Sequence, residues 1–116
     1  MADRAIFLGW NRAVAGREKQ ALELFTKATE YFTKLQGEGK IESFEPVFLQ
    51  AHGGDLNGFT LIRGEDEKLQ AVKREDTFTE LALESGYCLI GYGIADCVIG
   101  EGIAEGFSRW TKIISA

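Results

Sequence analysis

The chain has 116 residues, of which 45% are hydrophobic and 27% charged, and its formal net charge is −5. This length suits one compact domain with a core of its own, so we predict a single domain over residues 1–116. The apolar content excludes a disordered chain. The acidic balance lacks the basic surface that neutralises phosphates, so we expect no nucleic acid partner.

Two features bear on the compartment in which the chain works. The apolar run from Ala5 to Trp10 is too short and wrongly flanked for a secretory signal, and no stretch approaches the roughly 18 apolar residues of a membrane span. Cys88 and Cys97 are separated by an odd number of positions in a segment predicted to be extended, which directs their side chains to opposite faces. We therefore expect free thiols in a cytoplasmic protein that does not contact a membrane.

The first half of the chain predicts a strand, a helix and two further strands. The apolar and aromatic run from Ala5 to Asn11 is typical of a strand. Helical spacing follows from Arg17 to Gln36. Its apolar positions are Ala21, Phe25, Ala28, Phe32 and Leu35. A second strand is predicted from Ile41 to Ala51, and a glycine-rich turn joins it to a third strand from Phe59 to Arg63.

The second half predicts a broken helix, a strand and a short closing helix. The helical pattern runs from Glu65 to Ser85 and breaks near Asp76. Tyr87 to Ile99 then predicts a long final strand, whose glycines indicate a bend or bulge. Helical spacing returns at the end of the chain. Its apolar positions are Ile103, Phe107, Trp110 and Ile114.

This order of elements, β-α-β-β-α-β, predicts an α+β ferredoxin-like fold. Right-handed crossovers give an antiparallel four-stranded sheet in the order 4-1-3-2, with both crossover helices on one face. Pro46 agrees with this order, because a proline cannot donate to a strand ladder and the second strand is predicted at an edge. The short C-terminal helix is an addition to this arrangement.

The predicted sheet is apolar on both faces. In the second strand, for example, Phe44 and Phe48 face away from Val47 and Leu49, and all four side chains are apolar. Soluble monomers rarely expose a large apolar face, so we expect a second copy of the chain to cover the face that has no helices. The sequence therefore predicts a homodimer that forms through the sheet.

The stretch from Glu65 to Gly100 carries a resemblance to a known family. A broken charged helix, EDEKLQAVKREDTFTELALES, leads into a glycine-bearing strand, YCLIGYGIADCVIG. In element order and length, the chain from Ala5 to about Gly100 resembles the dimeric α/β-barrel superfamily, whose ferredoxin-like subunits pair their sheets face to face. The resemblance implies a dimeric α/β barrel with a cavity. It leaves the chemistry open, because that superfamily includes monooxygenases, lactone isomerases, ligand-sensing domains and proteins without an assigned activity.

Four residues are candidates for binding a substrate. Trp10 and Asn11 close the first strand, where an indole and an amide suit the mouth of a pocket. Metal-free and flavin-free monooxygenases of the resembled superfamily rely on such side chains, although Trp10 could equally pack in the core and Asn11 begin a loop. Arg63 could bind an anionic group or form a surface ion pair. Tyr92 shares one face of the last strand with Asp96.

Two residues are candidates for proton transfer. His52 is the only histidine, and it serves either as a turn residue before Gly53 and Gly54 or as a general base. Asp96 lies in an apolar strand, where burial would tune a carboxylate for acid–base work, whereas at a sheet edge it would reach water. One histidine cannot build a site of two or three imidazoles, so we expect no metal and no cofactor.

No sequence motif specifies a reaction. The pattern favours a protein of unassigned function with a small-molecule cavity lined by aromatic side chains. Two alternatives are a cofactor-independent monooxygenase or isomerase that acts on a small aromatic or cyclic compound, and a non-catalytic module that binds a small apolar or aromatic ligand. In a third, the aromatic side chains fill the core and leave no cavity.

Overall fold

Six strands and four helices make up the computed structural model, which describes residues 2–115. The strands are β1 (Arg4–Trp10), β2 (Arg12–Ala13), β3 (Ser43–Phe48), β4 (Gly58–Gly64), β5 (Leu89–Ile90) and β6 (Gly93–Val98). The helices are α1 (Glu18–Gly37), α2 (Asp66–Lys73), α3 (Asp76–Cys88) and α4 (Glu101–Ser115). The four long strands form one antiparallel sheet, so the predicted α+β class with a ferredoxin-like arrangement is confirmed.

The sheet has the order β3-β4-β1-β6. This written order differs from the predicted 4-1-3-2 because two short strands enter the numbering. The strand β2 was not predicted, and β5 is a separated part of the predicted last strand; the two pair in a ladder of their own. If only the four long strands are numbered, β1, β3, β4 and β6 are the first to the fourth. Read from the β6 edge, they then lie in the order fourth, first, third and second. Pro46 lies on β3, which is an edge strand as predicted.

The helices α1, α2 and α3 cover one face of the sheet. Ile6 of β1 and Ile62 of β4 are opposite each other in the strand register, and both are fully buried on this face. Side chains from the three helices complete the same core: Phe32, Leu35, Leu69, Val72 and Phe78. Burying one such apolar side chain contributes roughly 1.5–3 kcal/mol to the stability of the fold. The apolar stripes therefore hold the three helices against the sheet.

The opposite face of the sheet has no helix packed on it among the described residues. Side chains there are half-buried, and we call them the open sheet face: Phe7, Val47, Phe59, Leu61 and Cys97. Phe7 and Phe59 stack with ring centroids 5.2 Å apart. Cys97 on this face and Cys88 at the end of α3 are free thiols, as predicted.

Helix α4 confirms the predicted C-terminal helix and projects from the end of the sheet. Gly102 in its first turn is buried, and a Cβ added there would lie 2.7 Å from Arg4 Nη1 and 2.8 Å from Val98 Cγ1. Residues beyond this junction are exposed through Ser115. In residues 2–115, no helix combines the length and the apolar character required to cross a membrane.

The predicted strand from Tyr87 to Ile99 is wrong in its first part. Tyr87 and Cys88 complete the last turn of α3, and β5 begins only after them. A tertiary contact supports this ending, because the backbone N–H of Val14 donates to the Cys88 carbonyl at 2.8 Å. Gly91 then turns the chain between β5 and β6 with a φ of +68°, which a residue with a side chain rarely adopts.

Candidate functional site

A cavity of about 430 Å³ lies between the sheet and the helices α1 and α3. Its walls are mostly aliphatic and aromatic: Leu8, Trp10, Ala13, Glu18, Ala21, Leu22, Leu24, Phe25, Ala28, Thr29, Phe32, Phe44, Pro46, Phe48, Thr60, Phe78, Leu81, Ala82, Ser85, Leu89 and Tyr92. This volume lies within the range of small-molecule sites, which are concave and mostly apolar.

The helical spacing of the sequence builds one side of the cavity. Phe25, Ala28 and Phe32 recur at i, i+3 and i+7 along α1 and point into it. Ala82 and Ser85 contribute from α3. The two alanines leave space that larger side chains would fill, so the cavity results from small residues within otherwise apolar helix faces.

Three aromatic rings surround the mouth of the cavity. Phe48 ends β3 and is 62% exposed. Its ring packs edge-on against Trp10, with centroids 5.8 Å apart, and against Phe25, with centroids 5.2 Å apart. Edge-to-face contacts of this kind fix ring orientation, so the three side chains present a defined apolar entrance.

Hydroxyl groups are the main polar groups on the cavity wall. Thr60 on β4 and Ser85 on α3 are buried, and the Ser85 hydroxyl donates to the Leu81 carbonyl at 2.7 Å. Burial raises the pKa of Tyr92, and the adjacent Ser85 hydroxyl opposes the rise. Tyr92 is therefore a neutral phenol at neutral pH and a hydrogen-bond donor. The carboxylate of Glu18 accepts from the Gly16 N–H at 2.9 Å.

Of the four residues predicted to bind substrate, Trp10 and Tyr92 line the cavity. Asn11 follows Trp10 but is tied to the loop after β3: its side-chain oxygen accepts from Asn57 Nδ2 at 2.6 Å. Arg63 lies on the sheet face away from the helices, where it donates to Glu45 at 3.0 Å. Arg63 therefore forms a surface ion pair, which was one of its two predicted roles.

His52 lies in the exposed loop between β3 and β4, outside the cavity. The N–H of Gly54 donates to its Nδ1 at 3.2 Å, which leaves Nε2–H to donate to the Leu56 carbonyl at 2.8 Å. The imidazole ring of His52 thus hydrogen-bonds to backbone groups on the far side of its own loop. The second strand is shorter than the predicted range of Ile41 to Ala51, because β3 ends at Phe48. Its role as a general base stays a prediction.

Asp96 also lies outside the cavity, on the edge strand β6. Its side chain is 58% exposed, and its carboxylate accepts from Lys73 Nζ at 3.0 Å. The neighbouring apolar residues Ile94 and Val98 are exposed as well, since β6 has a partner strand on one side only. The structure therefore contains the second alternative, a carboxylate that reaches water, and a catalytic role of Asp96 stays a prediction.

Most wall residues were not predicted to belong to a site, among them Phe25, Phe48, Thr60 and Ser85. A signal existed for the two hydroxyls. Thr60 is the one polar residue on the buried face of an apolar strand, and Ser85 continues the helical spacing of Phe78 and Leu81. Within residues 2–115, no three His, Cys, Asp or Glu side chains come together in a geometry suited to a metal ion.

The fold and the cavity define a small ferredoxin-like α+β protein with an apolar site beside its sheet. No protein-family model and no curated protein sequence matches the chain. Solved structures do match it across most of its length, at sequence identities that show the fold alone. The fold expected from the resemblance to ferredoxin-like dimeric proteins is thereby confirmed.

Three of these structures illustrate the range of proteins with this fold. Hydroxynitrile lyase from Passiflora edulis matches with a TM-score of 0.66 and 10% identity over 87% of this chain and 97% of that chain. SnoaB, a cofactor-independent oxygenase from Streptomyces nogalater, has a TM-score of 0.57 and 10% identity, covering 85% and 95%. A dimeric protein of unknown function and ferredoxin-like fold from Bacteroides fragilis has a TM-score of 0.59 and 8% identity, covering 84% and 97%.

Proposed function

We propose that the chain binds one small, uncharged and largely apolar molecule in the cavity between the sheet and the helices α1 and α3. The observation that carries this proposal is the composition of the cavity, which combines about 430 Å³ of space with aromatic and aliphatic walls and a few hydroxyls. A polar or charged ligand would lose hydration there without gaining compensating partners. An apolar ligand gains from leaving water.

The positions of the polar groups narrow the class of ligand. The neutral phenol of Tyr92 can donate a hydrogen bond to a ligand, whereas the Ser85 hydroxyl already donates to the Leu81 carbonyl. A ligand with one carbonyl or ether oxygen therefore suits the Tyr92 end of the cavity. The rings of Trp10 and Phe25 favour an aromatic or flat cyclic body.

We further propose that the chain works as a homodimer that forms through the open sheet face. Phe7, Phe59 and Leu61 form an apolar surface there, and the Bacteroides fragilis protein of similar fold is described as dimeric. The free thiols of Cys88 and Cys97 suit a reducing compartment, so a cytoplasmic location stays our prediction.

The binding proposal is tested with prodan, a neutral naphthyl ketone whose fluorescence reports the polarity around it. Ala28→Leu places a larger side chain into the cavity, and Gln20→Leu adds the same side chain to an exposed position of α1. We expect saturable binding to the wild type and to Gln20→Leu, and an affinity at least about tenfold lower in Ala28→Leu. Equal affinity in all three proteins would contradict the proposal.

A second candidate function is catalysis without a cofactor, by an oxygenase or isomerase that acts on a small aromatic or cyclic compound. It is favoured by Tyr92 and Trp10, which both line the apolar cavity, because a phenol in such a setting can donate a hydrogen bond that orients a substrate. The similar folds include proteins described as a cofactor-independent oxygenase and a lyase. In this candidate Trp10 and Tyr92 hold the substrate.

A further inference from the structure

The apolar stripe of helix α4 packs against no other element within residues 2–115. Its four members lie at i, i+4, i+7 and i+11 and are between 45% and 68% exposed: Ile103, Phe107, Trp110 and Ile114. The opposite side of the helix is polar, and Arg109 there donates to Glu105 at 2.9 Å. A helix that is apolar along one stripe normally buries that stripe, because its stability in water comes mainly from packing.

The junction at the start of α4 holds the stripe away from its own core. Gly102 is buried against Arg4 and Val98, in a space that a Cβ would overfill. Two backbone hydrogen bonds fix the same point: the Ile99 N–H donates to the Asp3 carbonyl at 3.0 Å, and the Gly102 N–H donates to the Ile99 carbonyl at 3.1 Å. These contacts fix the start of α4 beside β1 and β6, and the stripe beyond them is exposed.

The exposed surface of the chain is larger than that of a compact monomer. The chain exposes 7609 Å², whereas a compact monomer of 12.8 kDa exposes about 6,300 Å². Its radius of gyration is 16.0 Å, against roughly 13.4 Å for a compact domain of 116 residues. The surface excess of about 1,300 Å² exceeds the roughly 800 Å² that each partner contributes to a standard protein interface.

We propose that α4 docks its apolar stripe on a second copy of this chain, so that two copies exchange their C-terminal helices across the edge of the homodimer proposed above. The surface excess favours a second copy as the occupant, because it exceeds what each partner of a standard dimer buries, and α4 begins at the β6 edge of the sheet, beside the paired residues Arg4 and Val98. The charges of α4 disfavour an anionic membrane surface as the partner. Its described acidic and basic residues balance: Glu101, Glu105, Arg109 and Lys112.

This inference rests on the proposed homodimer but not on the proposed ligand, because no residue of α4 lines the cavity. The test compares dimer dissociation constants, measured by sedimentation, for the wild type and three variants. Phe107→Glu changes the stripe, Ser108→Glu adds the same charge to the polar side of α4, and Leu61→Glu changes the open sheet face. Circular dichroism checks that each variant is folded.

We expect a wild-type dimer, at least about 100-fold weaker dimerisation in Phe107→Glu, and a change within about twofold in Ser108→Glu. A monomeric wild type would overturn both this proposal and the homodimer. Weakening by Leu61→Glu with no effect of Phe107→Glu would overturn the helix exchange alone. Equal weakening by Phe107→Glu and Ser108→Glu would also overturn it, since the effect would not be specific to the stripe.

A second measurement uses the unaltered protein, in case a variant fails to fold. Mixing isotope-labelled and unlabelled chains allows NMR contacts between different molecules to be selected. We expect contacts between the Trp110 indole of one molecule and apolar side chains of the other. Indole contacts confined to its own chain, or the absence of contacts between molecules, would overturn the exchange.

Discussion

The indole of Trp10 lies directly over the backbone of Gly58. The two residues are opposite each other in the register of β1 and β4, and a Cβ added to Gly58 would lie 2.6 Å from the indole Cε2 atom. Because Gly58 has no side chain, the Trp10 indole can pack against its backbone. Because Trp10 also lines the cavity, this glycine helps to set the shape of the site.

We expect Gly58→Ala to displace the Trp10 indole and to lower prodan affinity. Overpacking of this kind costs roughly 1–3 kcal/mol of stability. In a Trp110→Phe background, where Trp10 is the only indole, the tryptophan emission should change as well. Gly86→Ala is the matched control, because its added Cβ meets no atom within 4 Å. If both variants retain wild-type emission and affinity, Trp10 does not depend on Gly58.

Tyr92→Phe separates binding from catalysis. If Tyr92 only donates a hydrogen bond to a bound carbonyl, its loss weakens prodan binding by about 0.5–1.5 kcal/mol and leaves the fold intact. If the chain is an enzyme, turnover of its substrate should fall much more than affinity. The assay follows oxygen uptake with phenols and hydroquinones, and NMR of cyclic lactones. If Tyr92→Phe changes neither affinity nor turnover, Tyr92 is not part of the site.

The exposed pair of Asp96 and Lys73 predicts a small effect of mutation. Asp96→Asn should cost less than about 1 kcal/mol in urea unfolding, because surface ion pairs contribute little. Prodan affinity should stay unchanged, since Asp96 does not line the cavity. A variant that is fully folded yet inactive toward a substrate that the wild type turns over would instead support the catalytic role of Asp96.

Glu75 predicts a loss of stability in acid. Its carboxylate accepts from the Tyr31 hydroxyl at 2.8 Å and from Lys40 Nζ at 3.1 Å, and these bonds lower the pKa of Glu75 despite some burial. A lowered pKa in the folded state contributes stability above the ordinary glutamate value of about 4.3, and that contribution is lost as the pH falls through the folded pKa.

Urea unfolding of the wild type and Glu75→Gln between pH values of about 6 and 2.5 tests this expectation. The stability difference between the two proteins should shrink as the pH falls. Glu67→Gln, at an exposed position in the first turn of α2, serves as the control. A difference that is constant with pH would show that the contacts of Glu75 do not depend on its charge.

The long periodic elements could be predicted from sequence. Phe32 and Leu35 on α1, and Leu69 and Val72 on α2, recur at helical spacing and are buried as that spacing predicts. Pro46 marked an edge strand because of its missing N–H. Helical spacing and the missing N–H of a proline are local properties, so the sequence pattern predicts them.

Other features depend on contacts that the spacing of residue types does not reveal. Cys88 belongs to α3 rather than to a strand, and its carbonyl accepts from Val14, far away in the chain. The sequence leaves His52 open as a turn residue or a general base, because the pattern does not reveal that its ring hydrogen-bonds to the Leu56 carbonyl. Asp96 has apolar neighbours in sequence, but an edge strand leaves it in water.

The most direct test of the central claim is heteronuclear NMR of the wild type titrated with prodan. We expect the Trp10 indole N–H to shift on saturation, and we expect contacts from prodan protons to the rings of Phe25 and Phe32 inside the cavity. Shifts confined to the open sheet face or to α4 would contradict the account, because the ligand would then occupy a surface rather than the cavity.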